Sequence, residues 1–291
     1  MMHFRNNLYK YTSSLATSLI GSEAFKFASS LYVYHITGDF WLVSILYLLI
    51  QLPTIIVYFF SSKIVTLLKR FTSRLILLIC DILSFLLLIL LIGMFFGIRN
   101  SYIFSILLIA ISSLLGFVHS FRFIYIKNIV YYIAKDDQQM WKMNIGSSFA
   151  TSIGFMVSPI LSFFIYKNLD FYYLIIFNCF TYLLSGFLYL SLKTHKEKSV
   201  FVTNAIKPTS IVVTENKAYK KWIYVLSASM IIGIFIYPRA SGLPQYFKLM
   251  PEFSIDTWAF YINIIFSASA LISSIIQFRL KKSSKLRCLE F

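Results

Sequence analysis

Long apolar stretches follow one another from the start of this chain, and they constrain its fold more than any other feature. Tyr11–His35, Trp41–Ser62 and Leu75–Gly97 are each long enough to cross a lipid bilayer as a helix, which takes roughly 20 residues. The turn after the second stretch contains four cations and no acid, namely Lys63, Lys69, Arg70 and Arg74. Two apolar spans joined by a short cationic turn are typical of a membrane hairpin whose turn lies in the cytoplasm.

Further apolar stretches bring the number of predicted spans to eight. They are Ile103–Ile124, Ile145–Tyr166, Phe171–Leu192, Trp222–Tyr237 and Trp258–Gln277. The chain is 58% hydrophobic and only 13% charged, whereas soluble domains have about 25% charged residues. The sequence therefore predicts an all-α polytopic membrane protein whose main surroundings are the lipid bilayer. The net charge of +16 lies mostly in the loops, so no nucleic-acid partner is expected.

The distribution of Lys and Arg predicts the orientation of the spans. With the N-terminus inside, 22 of the 27 cations fall on the cytoplasmic side and four on the outer side. Cytoplasmic loops carry such an excess, so both termini are predicted to be cytoplasmic. The longest inside loop, 193–221, contains seven Lys and is predicted to be a basic linker. It divides a six-helix N-terminal bundle (1–192) from an incomplete C-terminal bundle (222–291).

Glu23 and Lys26 are ionisable residues in the middle of the first span. A charge at this depth costs at least about 2.5–3.5 kcal/mol, so each needs a partner or a function. Their spacing of three residues places them on one face of a helix. They are either a pair that neutralises itself, or Glu23 is a protonatable coupling residue or the counter-charge of a cationic substrate. The sequence leaves both interpretations open.

Asp81 lies two turns into the third span, and Arg122 lies near the cytoplasmic end of the fourth. Since these spans run antiparallel, the two residues are at similar depth, and we expect an ion pair with a structural or gating role. A coupling site is the alternative.

Pro53 in the second span and Pro159 in the fifth remove backbone hydrogen bonds and are predicted to kink their helices, either as part of the fold or as gating hinges.

Signatures of other protein classes do not occur in the sequence. The three cysteines have no paired spacing, so neither a disulfide framework nor a zinc site is indicated. His119 has no second His, Cys or acid spaced to join it as a metal ligand. There is no glycine-rich phosphate loop and no H-E-x-x-H motif. We therefore expect no cofactor, no metal and no catalytic residue, and the chain is not predicted to be an enzyme.

Three short patterns lie within these spans and turns. The first span contains Gly21-Ser-Glu-Ala-Phe-Lys-Phe-Ala28, in which an acid and aromatic residues follow a glycine. The basic turn has Arg70 and Arg74 at a spacing of four. The fifth span has the pattern G-x-x-x-S-P-x-x-S, formed by Gly154, Ser158, Pro159 and Ser162. Small residues at such positions allow membrane helices to approach closely.

These patterns resemble the major facilitator superfamily, and within it the drug-efflux branch that includes macrolide efflux proteins. Arg70 and Arg74 match the loop motif G-x-x-x-D-R-x-G-R-R, although Val65 and Lys69 stand in place of its first glycine and its acid. The fifth span matches the antiporter motif G-x-x-x-G-P-x-x-G except that serine replaces both later glycines. The resemblance covers essentially the whole chain.

The resemblance implies a fold of twelve helices in two halves, so the chain is interpreted as a transporter truncated after its eighth helix. It also implies proton-driven efflux of a small amphipathic or cationic, drug-like compound across a bacterial inner membrane. The candidates for coupling or for the substrate path are Glu23, Lys26, Asp81 and Arg122. The alternative is a non-transporting, truncated or degenerate membrane protein that acts by binding a partner, as an accessory or immunity-like factor. The oligomeric state is not predicted.

Overall fold

Eight helices account for most of the residues that the computed structural model describes, which are 2–68, 71–194 and 255–280. They are α1 (Met2–Thr37), α2 (Phe40–Phe59), α3 (Ser61–Leu67), α4 (Ser73–Gly97), α5 (Ser101–Ile133), α6 (Asp137–Asn168), α7 (Phe171–Leu190) and α8 (Ile255–Leu280). No strand occurs in these three ranges. A helix satisfies its own backbone N–H and C=O groups, which a single apolar segment in lipid must do. The described part of the chain is therefore all-α.

Five of these helices, α2 and α4 to α7, are long and apolar enough to cross a membrane. Many large apolar side chains on α2 and α4 are exposed, among them Ile55 and Leu86. Exposed apolar surface of this extent is unusual for a soluble monomer and is ordinary for helices that face lipid. The structure is thus compatible with an α-helical membrane protein.

α1 contains the first predicted span, but it is less apolar than these five helices. Several of its polar residues are serines in the interior of the bundle, and Ser14, Ser18 and Ser29 are completely buried. α1 packs along α6 and α7 and also contacts α5 and α2. Because protein rather than lipid surrounds much of α1, its sequence does not need the uniform apolar character of a lipid-facing helix.

Helix boundaries differ from the predicted spans at several places, and α1 already begins at Met2, ahead of the first predicted span, Tyr11–His35. The second span, Trp41–Ser62, is divided because α2 ends at Phe59 and α3 begins at Ser61. α5 continues to Ile133, and α6 begins at Asp137, both beyond the predicted apolar stretches. Hydropathy marks only the part of a helix that suits lipid, whereas these helices continue into sequence that is too polar to be counted as a span.

Two predicted elements fall largely outside the described residues. These are the seventh span, Trp222–Tyr237, and all of the linker 193–221 except Lys193 and Thr194. The eighth predicted span, Trp258–Gln277, lies within α8, whose apolar stretch is shorter, Phe260–Ser269. α8 packs against α6. The division into two bundles stays a prediction.

Side-chain caps or a glycine shape three of the turns between consecutive helices. α1 ends before Gly38, which has a positive φ of 68°, a conformation that glycine adopts without steric cost. The side chain of Asn100 accepts a hydrogen bond from the backbone N–H of Tyr102 at the start of α5. That of Asp136 accepts one from Gln139 at the start of α6. Such caps satisfy N–H groups that the first helical turn leaves unpaired.

Gly116 allows α2 and α5 to pack backbone against backbone. A Cβ atom at this position would lie 2.5 Å from the carbonyl oxygen of Ile50 and 3.0 Å from its Cα atom. Gly93 in α4 provides a contrast, because a Cβ atom there would meet nothing within 4 Å.

We expect Gly116→Ala to destabilise the bundle by about 1–3 kcal/mol, because an added methyl group in a tight contact forces the packed backbones apart. The measurement is the unfolding temperature of the purified protein in detergent. Gly93→Ala is the matched control and should leave that temperature unchanged or raise it slightly, since alanine favours helix. An equal decrease in both variants would contradict the close α2–α5 contact.

Candidate functional site

A buried ion pair joins α4 to α5. Nε of Arg122 lies 2.6 Å from Oδ1 of Asp81, and each side chain is only 1% exposed. The two atoms form a close ion pair, although their alignment is not that of a hydrogen bond. The structure therefore brings together the two residues that the sequence places at similar depth on antiparallel helices.

Residues of α7 and α1 extend this ion pair into a network. The hydroxyl of Ser185 donates to Oδ2 of Asp81 at 2.9 Å and accepts from Nη2 of Arg122 at 3.3 Å. Ser14 of α1 donates to the backbone oxygen of Ser185 at 2.8 Å. The guanidinium also lies 5.3 Å from the ring centroid of Tyr189, within the range of a cation–π interaction. The network thus connects four helices, α1, α4, α5 and α7.

Neutralising one member of this pair should reduce the stability of the protein more than expected from the effect of neutralising both. Asp81→Asn leaves the Arg122 charge buried without a counter-charge, and we expect a loss of about 3–5 kcal/mol. In the double variant Asp81→Asn/Arg122→Gln no buried charge remains. Its loss of unfolding free energy should therefore be smaller than the sum of the losses in the two single variants. The measurement is a double-mutant cycle on unfolding free energies in detergent. Simple additivity would show that the two groups do not depend on each other.

A cavity of about 430 Å³ lies between α1, α2, α5, α6 and α7. Apolar side chains such as Leu19, Ile50 and Phe155 form much of its wall. The ionisable residues of the described lining are Glu23, Lys26, His119, Arg122, Lys127 and Tyr182. Only one of these, Glu23, is an acid. The combination of apolar walls with a few polar groups is typical of a small-molecule site.

Glu23 and Lys26 form an ion pair in the wall of this cavity. Nζ of Lys26 donates to Oε1 of Glu23 at 2.7 Å, across one turn of α1. Their side chains are 20% and 16% exposed, respectively, so this pair is more accessible than the Asp81–Arg122 pair. Arg122 contributes to both arrangements, since it lines the cavity on one side and contacts Asp81, which is not part of the lining, on the other.

Several polar residues in the cavity wall have no predicted role. Ser120 donates to the backbone oxygen of Gly116 at 2.7 Å, and its Oγ lies 2.8 Å from that of Thr54 on α2. Gln51 and His119 complete the polar part of this wall. The signal that could have found them is a polar residue within an apolar span, but such residues also occur where helices merely pack.

The prolines lie inside helices that continue past them, Pro53 in α2 and Pro159 in α6. Pro159 has no N–H to donate to the carbonyl of Phe155, one turn earlier. The hydroxyl of Ser267 in α8 donates to that oxygen at 2.7 Å. Pro159 therefore leaves the carbonyl of Phe155 without a helical donor, and α8 contacts α6 at this carbonyl.

Gly154 and Ser158 lie at buried positions of α6. A Cβ atom at Gly154 would be 2.6 Å from Cβ of Leu19 on α1. The small residue therefore permits a close approach of α1 and α6, in the same part of the bundle as the cavity.

Arg74 belongs to a set of contacts at one end of the bundle, which we call the basic end. Its Nη1 donates to the backbone oxygen of Leu192 at 2.8 Å, and Lys10 donates to that of Ser191 at 3.2 Å. The side chain of Asn7 donates to the oxygen of Lys193 and accepts from its N–H. These donors satisfy the backbone carbonyls of the residues that directly follow α7, 191–193. Arg70, the other residue of the predicted loop motif, lies outside the described residues.

We expect Arg74→Ala to loosen the segment that follows α7, because a charge-assisted hydrogen bond to the carbonyl of Leu192 is lost. Backbone amides near Leu192 should exchange their hydrogens about tenfold faster, measured by mass spectrometry of the folded protein in detergent. Arg99→Ala, at an exposed position in the turn between α4 and α5, is the control and should leave this exchange unchanged. Unaltered exchange in Arg74→Ala would mean that the contact does not hold this segment.

A second cavity, of about 510 Å³, lies at the end of the bundle opposite the basic end. Aromatic side chains such as Tyr32, Phe95 and Phe171 dominate its lining. Its charged residues, Lys167 and Asp170, are exposed and lie in or beside the turn between α6 and α7. The cavity between α1, α2, α5, α6 and α7 is the better candidate site because all of its ionisable groups except Lys127 are buried or partly buried within the bundle.

Within the described ranges, no three His, Cys, Asp or Glu residues are grouped closely enough to hold a metal ion. Comparison with protein-family models, curated proteins and solved structures finds no match for this chain. The fold and the site therefore define a class only in broad terms, as a protein that is all-α in its described part, with several helices suited to a membrane and, between them, a largely apolar cavity that contains a few ionisable groups. The resemblance to the major facilitator superfamily stays a prediction.

Proposed function

We propose that this chain is a secondary active transporter that carries a small amphipathic compound through the cavity between α1, α2, α5, α6 and α7. The observation that carries the proposal is an ion pair, Glu23–Lys26, in the wall of an otherwise largely apolar cavity of about 430 Å³. Ionisable residues at membrane depth are costly, and they commonly lie on substrate or ion pathways. The volume falls within the range of small-molecule sites.

Protons are the proposed coupling ion, and Glu23 is the proposed site. It is the single acid in the described part of the lining, and its ion-pair partner, Lys26, is on the same helix. Protonation of Glu23 removes the attraction that holds the two groups 2.7 Å apart and leaves Lys26 free to contact a ligand. A site whose two charge states bind a ligand differently links the ligand to the proton.

The remaining parts of the proposal come from the sequence. The resemblance to the major facilitator superfamily supplies the mechanism, alternating access between two helical bundles, and also efflux as the direction. It likewise supplies the expectation of a drug-like, amphipathic or cationic substrate. The apolar stretches supply a multi-pass arrangement, the distribution of cations places both termini in the cytoplasm, and the resemblance supplies the bacterial inner membrane.

We expect Glu23→Gln to abolish transport driven by a pH gradient while leaving the protein inserted and folded. The measurement uses the purified full chain in liposomes with an imposed pH gradient. The probes are radiolabelled octanesulfonate and octyltrimethylammonium, which are permanently charged and cross lipid slowly. The wild-type chain should move at least one probe faster with the gradient than without it, and Glu23→Gln should show no such difference.

Asp39→Asn is the matched control, because Asp39 is an exposed acid outside the cavity, in the turn between α1 and α2. It should behave like the wild-type chain. Gradient-driven transport that survives in Glu23→Gln would exclude Glu23 as the coupling site. If the wild-type chain moves neither probe, the non-transporting, partner-binding alternative is favoured.

A further inference from the structure

The charged groups of the described cavity lining are unequal in sign. Lys26, Arg122 and Lys127 are cations, and Glu23 is the one acid. The charge of Arg122 is balanced by Asp81, which lies 2.6 Å away on the side that does not face the cavity. Lys127 is exposed and lies 5.3 Å from the ring centroid of Phe123, with no carboxylate of the described residues within ion-pair distance. The cavity therefore has one more positive charge than its acids balance.

The other polar groups of the wall are also mainly donors or neutral hydroxyls. Arg122 retains an Nη1 group, and Ser112 a hydroxyl, for which the described residues offer no hydrogen-bond partner. Both side chains are buried and line the cavity. A ligand with several acceptor atoms matches such a wall better than a ligand that brings only donors.

Glu23 occupies the position at which an anionic ligand would meet Lys26. The two groups belong to one helical turn, so their contact at 2.7 Å does not hold separate helices together. Their partial exposure to the cavity, 20% and 16%, leaves the pair accessible to a ligand. An anion that replaces Glu23 at Lys26 displaces a carboxylate, and that carboxylate is less costly in the cavity if it is neutral.

We propose that the cavity binds the anionic head group of a small amphipathic molecule by exchange at Lys26, and that the displaced Glu23 takes up one proton from solvent. The Lys26 ammonium then pairs with the ligand anion, and the Glu23 carboxylate becomes a carboxylic acid. One negative and one positive charge enter together, so the net charge of the cavity does not change. This inference rests on the proposed function and specifies its substrate class and the sense of its proton coupling. Because the anion and the proton bind together, the coupling is symport, which an inward proton gradient drives as uptake, in place of the efflux that the resemblance implies.

The opposite choice, a cationic ligand at Glu23, is less favourable in this geometry. The cation would have to separate Glu23 from Lys26 and would leave the ammonium of Lys26 unpaired beside it. Lys127 and Arg122 in the same lining add repulsion rather than attraction. The inference thus narrows the substrate expected from the sequence resemblance, which includes cationic compounds.

Every helix around Glu23 matters for its protonation. α1 contributes Lys26, α5 contributes His119, Arg122 and Lys127, and α7 contributes Tyr182 to the lining. The lining residues from α2 and α6 are uncharged, and Asp81 of α4 lies behind Arg122. His119 is another group of this lining whose side chain can accept a proton. Proton uptake therefore has to be measured in a Glu23 variant as well, to identify the group that takes up the proton.

The test is calorimetric titration of the purified full chain in detergent with octanesulfonate and with octyltrimethylammonium, after subtraction of titrations into protein-free micelles. We expect octanesulfonate to bind at least tenfold more tightly than the cation. Titration in two buffers of different ionisation enthalpy should show uptake of about one proton per anion bound. By linkage, octanesulfonate should bind more tightly as the pH falls.

Two variants of the pair should have opposite effects. Lys26→Gln should weaken octanesulfonate binding at least tenfold, because the anion loses its counter-charge. Glu23→Gln should bind the anion as tightly as the wild-type chain or more so, since the competing carboxylate is gone, and should take up no proton. Lys142→Gln, an exposed cation in α6 outside the cavity lining, is the control and should leave binding unchanged.

Four results would overturn the inference. They are tighter binding of the cation, binding of neither probe, equal weakening by Lys26→Gln and Glu23→Gln as in a purely structural pair, and proton uptake that persists in Glu23→Gln. Because these experiments measure binding in detergent, their failure is separate from that of the proposed transport, which is measured as flux in liposomes. Gradient-driven flux of octyltrimethylammonium alone would keep the transporter and exclude the anion site.

Discussion

The buried ion pair between Asp81 and Arg122 is the constraint on which the rest of the bundle depends. A guanidinium with 1% exposure is tolerated in apolar surroundings only when a counter-charge and hydrogen bonds accompany it. Here the counter-charge comes from α4, the hydroxyl of Ser185 comes from α7, and Ser14 of α1 binds the backbone of Ser185. Four helices must therefore take defined positions together. Apolar contacts alone would specify these positions less strictly, because an apolar side chain can contact lipid about as favourably as it contacts another helix.

The position of α1 follows from the same reasoning. A helix with completely buried serines and an acid–base pair cannot face lipid over most of its surface, so it lies among other helices. Gly154 on α6 lets it approach closely, with a distance of only 2.6 Å from an added Cβ to Leu19. Because α1 lies inside the bundle, the single accessible ion pair on it, Glu23–Lys26, opens into a cavity instead of into the bilayer. The cavity therefore has this ion pair in its wall because α1, which carries it, packs inside the bundle.

The sequence predicted those features that depend on local spacing or on membrane depth. The all-helical character, the contact of Glu23 with Lys26 and the juxtaposition of Asp81 and Arg122 need only helix geometry and the counting of turns. Ser185 and Ser267 could not be found in this way, because their partners lie on helices far away in the chain. When every helix is apolar around most of its circumference, hydropathy does not show which face meets which neighbour. For the same reason the ends of α5 and α6 extend beyond the apolar stretches that define a predicted span.

The two ion pairs differ in accessibility, and this difference decides which of them can take part in the proposed transport. Asp81 on α4 and Arg122 on α5 are buried and are held in addition by α7 and, through Ser14, by α1, so exchanging either partner would disturb the whole bundle. Glu23 and Lys26 lie one turn apart on a single helix, and each retains contact with the cavity. A proton or a ligand can separate them without moving α1 relative to its neighbours. Since Arg122 forms part of the cavity wall while Asp81 neutralises it from behind, the fixed pair keeps the charge of the wall constant. In the proposed mechanism, Glu23–Lys26 is then the pair that responds to what enters the cavity.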